Sequence, residues 1–302
     1  MAEPVIDIQG LTKFYGSARG VEALDVRVEA GEVFGFLGPN GAGKTTTIRL
    51  LLDLIRPTAG RMRILGLDPR SQGVALRHRL GYLPGDLSFH DRLTGRQILG
   101  HFGALRGDVG PAADARVVAL AERLHLDLDR PSRTLSKGNR QKIGLIQAFV
   151  HEPDVLLLDE PTSGLDPLMQ QVFEQLVRDA TGRGAAVFLS SHILSEVQDV
   201  ADRAGIIRDG RLVAIEDVTE LRAKALHRIE VRFVDPVGPE PFASLPGVHD
   251  VEVAGASLRC RLEGPADPLV KELARHQVES FSATELDLED LFLTHYGDPD
   301  AR

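Results

Sequence analysis

From Pro4 to about Leu221, short apolar or β-branched runs alternate with longer stretches at helical spacing. That alternation predicts an α/β layered domain. Val155-Leu156-Leu157-Leu158-Asp159 and Ala185-Ala186-Val187-Phe188-Leu189-Ser190 are nearly unbroken apolar runs, as expected of parallel strands buried on both faces. Helices are predicted between the strands, one of them over Leu168–Ala180. Beyond Leu221 the period changes. Arg228-Ile229-Glu230-Val231-Arg232-Phe233-Val234, Val251-Glu252-Val253 and Leu258–Leu262 alternate apolar with polar positions, the signature of a sheet with one wet face. The Pro- and Gly-rich stretch from Pro236 to Pro241 reads as a loop. A helix over Pro268–His276, a strand over Val278–Ser282 and a last helix over Leu288–Tyr296 complete a small α+β unit. The organisation read from these patterns is one domain over residues 1–221 and an accessory domain over 222–302, with no internal repeat.

Composition narrows the class. The 302 residues are 43% apolar and 26% charged, as in an ordinary globular protein. A formal charge of −9 argues against binding driven by a broad basic surface, so nucleic acid is not an expected partner. The longest apolar runs fall far short of the roughly 20 residues a spanning helix needs. No basic, then apolar, then small-residue leader opens the sequence. The single cysteine, Cys260, makes neither an internal disulfide nor a cysteine cluster. It reads as a small apolar residue on a strand. A chain of the reducing cytoplasm that does not itself cross a membrane is expected.

The chemistry begins at Gly38-Pro39-Asn40-Gly41-Ala42-Gly43-Lys44-Thr45-Thr46, directly after the apolar run Val33–Leu37. Glycines at these spacings let successive backbone N–H groups curl round a phosphate, with a helix N-terminus near Gly43 aimed at the same anion. Lys44 supplies a positive charge to the β and γ oxygens, and the Thr45 hydroxyl is placed to ligate Mg²⁺. Asp159, at the end of its apolar run, suits Mg²⁺ as well. Glu160, one residue on, suits a general base for an attacking water. Ser136, in Leu135-Ser136-Lys137-Gly138-Asn139-Arg140-Gln141-Lys142, is a strong N-cap for a helix running to about Phe149. It makes a second anion-binding helix terminus with no phosphate loop beside it.

That segment resembles the signature motif of ABC (ATP-binding cassette) proteins, and the remaining motifs follow in the family's order over residues 1 to about 220. The resemblance implies an α/β P-loop NTPase cassette with a mixed sheet and a helical subdomain over about 86–152. It implies ATP and Mg²⁺ as ligands, and ATP hydrolysis as the activity. It implies two cassettes paired head to tail, a homodimer here, with Ser136 and Gly138 of one reaching the γ-phosphate held by Lys44 of the other. Tyr15 corresponds to the ring that stacks on adenine, the competing reading being a core tyrosine. Asp166, in Ser163-Gly164-Leu165-Asp166, corresponds to the loop that couples the two sites. His192 corresponds to the histidine at the γ-phosphate.

Three positions depart from the family: Lys137 for glycine, Asn139 for glutamine, and Gly85 where a glutamine usually contacts Mg²⁺ or the lytic water. Asp86, next in sequence, is the expected stand-in, directly or through water. The resemblance also implies a separate polytopic membrane subunit, with the chain peripheral on the cytoplasmic face of the membrane. Leu87, Phe89, Leu93 and Ile98 read either as its docking patch or as subdomain core. The ending Leu288–Gly297 resembles cassettes of drug and antibiotic self-resistance exporters, of the daunorubicin and bacitracin resistance kind. Export of a drug, antibiotic or lipid-like substrate is therefore favoured over import. Against a cassette acting on ribosomes or chromosomes stand the single cassette and the lack of a long coiled-coil pattern; a regulatory module sensing a ligand beyond Leu221 is a further alternative.

Overall fold

The computed structural model describes residues 3–223 and 226–285. In chain order the first unit comprises β1 (Ile6–Tyr15), β2 (Ala18–Val28), β3 (Val33–Leu37), α1 (Lys44–Leu51), β4 (Ala59–Ile64), α2 (Gly73–Arg77) and β5 (Leu80–Leu83). There follow α3 (Gly95–Arg106), α4 (Pro111–Arg123), α5 (Lys137–Phe149), β6 (Val155–Asp159), α6 (Pro167–Gly182), β7 (Ala186–Ser191), α7 (Leu194–Val200), β8 (Arg203–Arg208) and β9 (Arg211–Asp217). The central sheet has the order β5-β6-β7-β3-β8-β9, parallel from β5 through β8, and β2-β1-β4 form a separate antiparallel sheet. The two apolar runs of the sequence are β6 and β7, and every residue of β3, β6 and β7 is buried. Phe188 packs between Phe34 and Phe36, with ring centroids 5.8 and 5.2 Å away. Residues 86–152 hold α3, α4 and α5. Of the apolar residues with two readings there, Ile98 is 3% exposed and belongs to the interior, whereas Leu87, Phe89 and Leu93 are half-buried.

The second unit begins at Glu216, a few residues ahead of the boundary read from the sequence. It contains α8 (Val218–Ala223), β10 (Leu226–Phe233), α9 (Glu240–Ala243), β11 (Val248–Ala254), β12 (Ser257–Glu263), α10 (Asp267–Leu273) and β13 (Val278–Glu285). Its sheet has the order β11-β12-β10-β13. Alternation along β10 and β12 sends Ile229, Val231, Leu258, Cys260 and Leu262 into its core. The stretch read as a loop, Pro236–Pro241, runs at its end into α9, because Phe242, one residue on, is fully buried and stacks on Phe233 with centroids 5.9 Å apart. Pro241 sits in that helix's first turn, where its missing N–H costs nothing. The helix predicted over Leu288–Tyr296 lies outside the described residues.

One half-buried histidine ties α5's far end to the sheet. His151 places Nε2 3.0 Å from the Leu80 carbonyl, which fixes that nitrogen as the donor, and its buried Nδ1 has no partner. Burial, reinforced by the positive charge of Arg106, pulls its pKa down to about 4. Below its ordinary value near 6.5 the unfolded chain takes up a proton that the folded chain refuses. Stability therefore falls as pH drops from about 6.5 to 4 and levels off below. Denaturant unfolding at pH 7 and pH 4.5 should show His151→Gln losing less stability than the parent across that window. The expected difference is on the order of 1–2 kcal/mol, reduced from the full span by the ring's partial exposure.

Candidate active site

Because β5, β6, β7 and β3 run parallel and side by side, their C-terminal ends deliver four loops to one crevice. That edge is where open α/β sheets hold ligands. The cleft there has a volume of about 680 Å³. Gly43 closes the phosphate loop with φ 110°, and a Cβ on it would stand 2.7 Å from the Gly20 carbonyl. No other residue fits that turn without displacing the backbone.

Lys44 opens α1 and is 6% exposed. Its ammonium donates to the carbonyls of Gly38 (2.6 Å) and Pro39 (3.2 Å) and stands 3.3 Å from Glu160 Oε1. Thr45 donates its hydroxyl to Asp159 Oδ2 at 2.8 Å, and Ser190 donates to Asp159 Oδ1 at 2.6 Å. Buried carboxylates need such partners, since an unpaired one costs several kcal/mol to desolvate, by order of magnitude. The cross-strand register Asp159↔Ser190 supplies one of them. Glu160 follows in the left-handed region at φ 49°, and its N–H donates to Ser190 Oγ at 3.2 Å. Its other carboxylate oxygen, Oε2, lies 2.7 Å from His192 Nδ1. The Tyr82 hydroxyl, also in the cleft lining, has its pKa raised by burial and then by the charge on Asp159, so it stays protonated.

The donor set beside the lysine is a hydroxyl and a carboxylate, Thr45 and Asp159, whose oxygens already meet. Hard oxygen donors of this kind fit Mg²⁺. Gly85 contributes no side chain, and a Cβ on it would stand 3.2 Å from Asp159 Oδ2. A side chain at the glutamine-free position would thus begin against the acid, and Asp86 lines the same cleft.

Of the residues read from the sequence, Tyr15, Pro39, Asn40, Gly41, Gly43, Lys44, Thr45, Thr46, Asp159, Glu160 and His192 line the cleft. Tyr15 is 49% exposed, which rules out the core reading. Gly38 and Ala42 do not line it. Ala42 is buried behind the loop, where its carbonyl accepts from Gly210. Ser136, Gly138 and Asp166 are not in this lining either. Ser136 caps α5 by accepting from the Asn139 N–H at 3.2 Å, and Asp166 caps α6 by accepting from the Met169 N–H at 3.0 Å. The reading of the sequence missed Ser190 and the cleft residues Arg19, Arg49 and Lys137. The signal for Ser190 was present: a polar residue closes an apolar run, as Asp159 closes the run of β6.

Residues 21–163 match the family described as ABC transporter. The daunorubicin resistance ATP-binding protein DrrA3 of Streptomyces coeruleorubidus is 40% identical over 226 residues, 74% of this chain and 72% of the relative. The daunorubicin/doxorubicin resistance ATP-binding protein DrrA of Streptomyces peucetius is 34% identical over 306 residues, 97% of this chain and 93% of the relative. Among solved structures, the ATP binding subunit of an ABC transporter superposes with a TM-score of 0.68 at 28% identity. That match covers 72% of this chain and 92% of the other.

Removing the Ser190 hydroxyl strips Asp159 of one donor and Glu160 N–H of one acceptor. Ser190→Ala should lower the unfolding free energy by about 1–3 kcal/mol, read from denaturant titration at neutral pH. An unchanged midpoint would mean that the two groups find other partners.

Proposed function

Because this chain belongs to the ABC transporter family, as an ATP-binding cassette, we propose that it hydrolyses Mg²⁺-bound ATP to drive export through a separate polytopic membrane subunit. The observation that carries this is the meeting, in one cleft, of Lys44, Glu160 and His192 with Thr45 and Asp159, the last held by the buried Ser190.

Each residue has a physical task there. Backbone N–H groups of residues 40–45 and the Lys44 ammonium neutralise the phosphate oxygens, and in a shielded site such preformed charge is the largest single contribution to phosphoryl transfer. Thr45 and Asp159 would hold the metal, which when bound offsets charge on the β and γ oxygens. Glu160 takes a proton from the attacking water on its carboxylate. His192, hydrogen-bonded to that carboxylate, keeps it aimed and faces the same phosphate. Tyr15 offers an exposed ring face to adenine, which gives stacking without much base selectivity.

Ser136 and Gly138 lie outside the cleft of their own chain, and this supports their use by a second copy. Two copies arranged head to tail would each complete the other's site, with Asp166 at the loop between. ATP then holds the pair together and hydrolysis releases it, a two-state element of the kind that moves an attached partner.

Among the described residues no helix is long and apolar enough to cross a membrane. An apolar groove of about 400 Å³ bearing the exposed side chains of Leu54, Val74 and Leu105 supports docking of a membrane subunit there. The chain would accordingly sit on the cytoplasmic face of the membrane. The relatives' names, both for resistance to daunorubicin, support export of a drug-like compound.

Glu160→Gln should bind ATP as the parent does, shift to a dimer on ATP addition in size-exclusion chromatography, and lose turnover by roughly 10²–10⁴-fold. Full hydrolysis by that variant would refute the base assignment. Recovery of the tagged chain from membranes with a polytopic protein supports the transporter; recovery in a ribosomal or chromosomal fraction argues for another cassette activity.

A further inference from the structure

Gln141 is 2% exposed, unusual for a glutamine. Its amide nitrogen donates to two successive carbonyls, Glu160 at 3.1 Å and Pro161 at 3.0 Å. This is the segment that leaves β6 with Glu160 in the left-handed region. The Glu160 N–H is held by Ser190, and the Glu160 carbonyl also accepts from the Ser163 N–H at 3.2 Å. Gln141 adds a side-chain donor to that carbonyl and one to the Pro161 carbonyl, tying the turn that carries the Glu160 carboxylate to α5.

The same helix touches the following residues. Lys137 Nζ donates to Ser163 Oγ at 2.8 Å. Gly138 lies so close that a Cβ on it would stand 2.4 Å from the Gly164 carbonyl. Contacts from Lys137, Gly138 and Gln141 thus run along residues 160–164, and all three belong to the first two turns of α5. Immediately before them stands Ser136.

We propose that Gln141 is a positioning residue for hydrolysis. It fixes the backbone of Glu160 to the helix whose tip carries Ser136, so that engagement of this tip by nucleotide on a second copy sets the aim of the chain's own Glu160. The inference rests on the reading of Glu160 as the base. It adds a route between the two sites of a pair that runs through one helix and one amide. A base displaced by about 1 Å loses on the order of a hundredfold in rate, so two hydrogen bonds are enough to matter.

The test compares Gln141→Met, Gln141→Asn, Glu160→Gln and the double variant Gln141→Met/Glu160→Gln. Methionine keeps the shape and removes the donor; asparagine keeps the amide one methylene short. Gln141→Met should lower kcat roughly ten- to a hundredfold, while KM and the binding of a fluorescent ATP analogue stay within about twofold. The double variant should hydrolyse no more slowly than Glu160→Gln alone, because Gln141 acts through Glu160. If Gln141→Met fails to fold, Gln141→Asn carries the same expectations. An unchanged kcat, or kcat and nucleotide binding falling together, overturns the proposal while Glu160→Gln is still inactive. Turnover retained by Glu160→Gln overturns the base reading, and this inference with it.

Discussion

The carboxylate of Asp159 holds the first unit's chemistry together. Buried at the end of β6, it accepts hydrogen bonds from Thr45, across 114 residues of sequence, and from Ser190, across 31. A charge that deep survives only when its lone pairs are occupied. Satisfying them forces the phosphate loop, β6 and β7 into one register. Glu160 directly follows Asp159 and His192 stands two residues after Ser190, so this arrangement brings the two to their 2.7 Å contact. The parallel strands are thus more than a scaffold: a one-residue slip would turn Asp159 to the other face and break its contacts with Thr45 and Ser190.

What could be read beforehand was whatever a short stretch of chain decides by itself. Glycine spacing before Lys44, the apolar runs of β6 and β7 and the cap at Ser136 are local features, and the structure has each where the sequence reading put it. Features decided by distant neighbours were harder to read. Phe242 builds α9 at the end of a Pro-rich stretch because Phe233 is there to receive it. Ile98 had two possible roles until the interior of α3, α4 and α5 was visible. Gln141 looks like one more polar residue in a charged helix start, and its two carbonyl partners lie 19 and 20 positions away. The absence of glutamine at position 85 was plain, but the closeness of that position to Asp159 was not.

The accessory unit obeys a simpler rule. Strict alternation marks one face as core, and Cys260 falls on it, opposite Ile229 across the β10–β12 pair. Burial pushes its thiol up to about 11, so it stays protonated and unreactive at neutral pH. The opposite face carries crossed pairs of charges such as Arg259 and Glu230, 3.2 Å apart. Exposed pairs of that kind contribute little to stability, about 0–1 kcal/mol, but they keep that face of the sheet wet.

Glu160 occupies a backbone conformation that costs a residue with a Cβ about 1–2 kcal/mol and a glycine almost none. With Glu160 as the proposed base, selection for heat resistance and selection for turnover pull in opposite directions at that residue. A library of variants screened for survival at high temperature would enrich glycine at position 160 and so return a sturdier protein without the proposed base. Thermal ranking alone is a misleading guide to improving this molecule at that position.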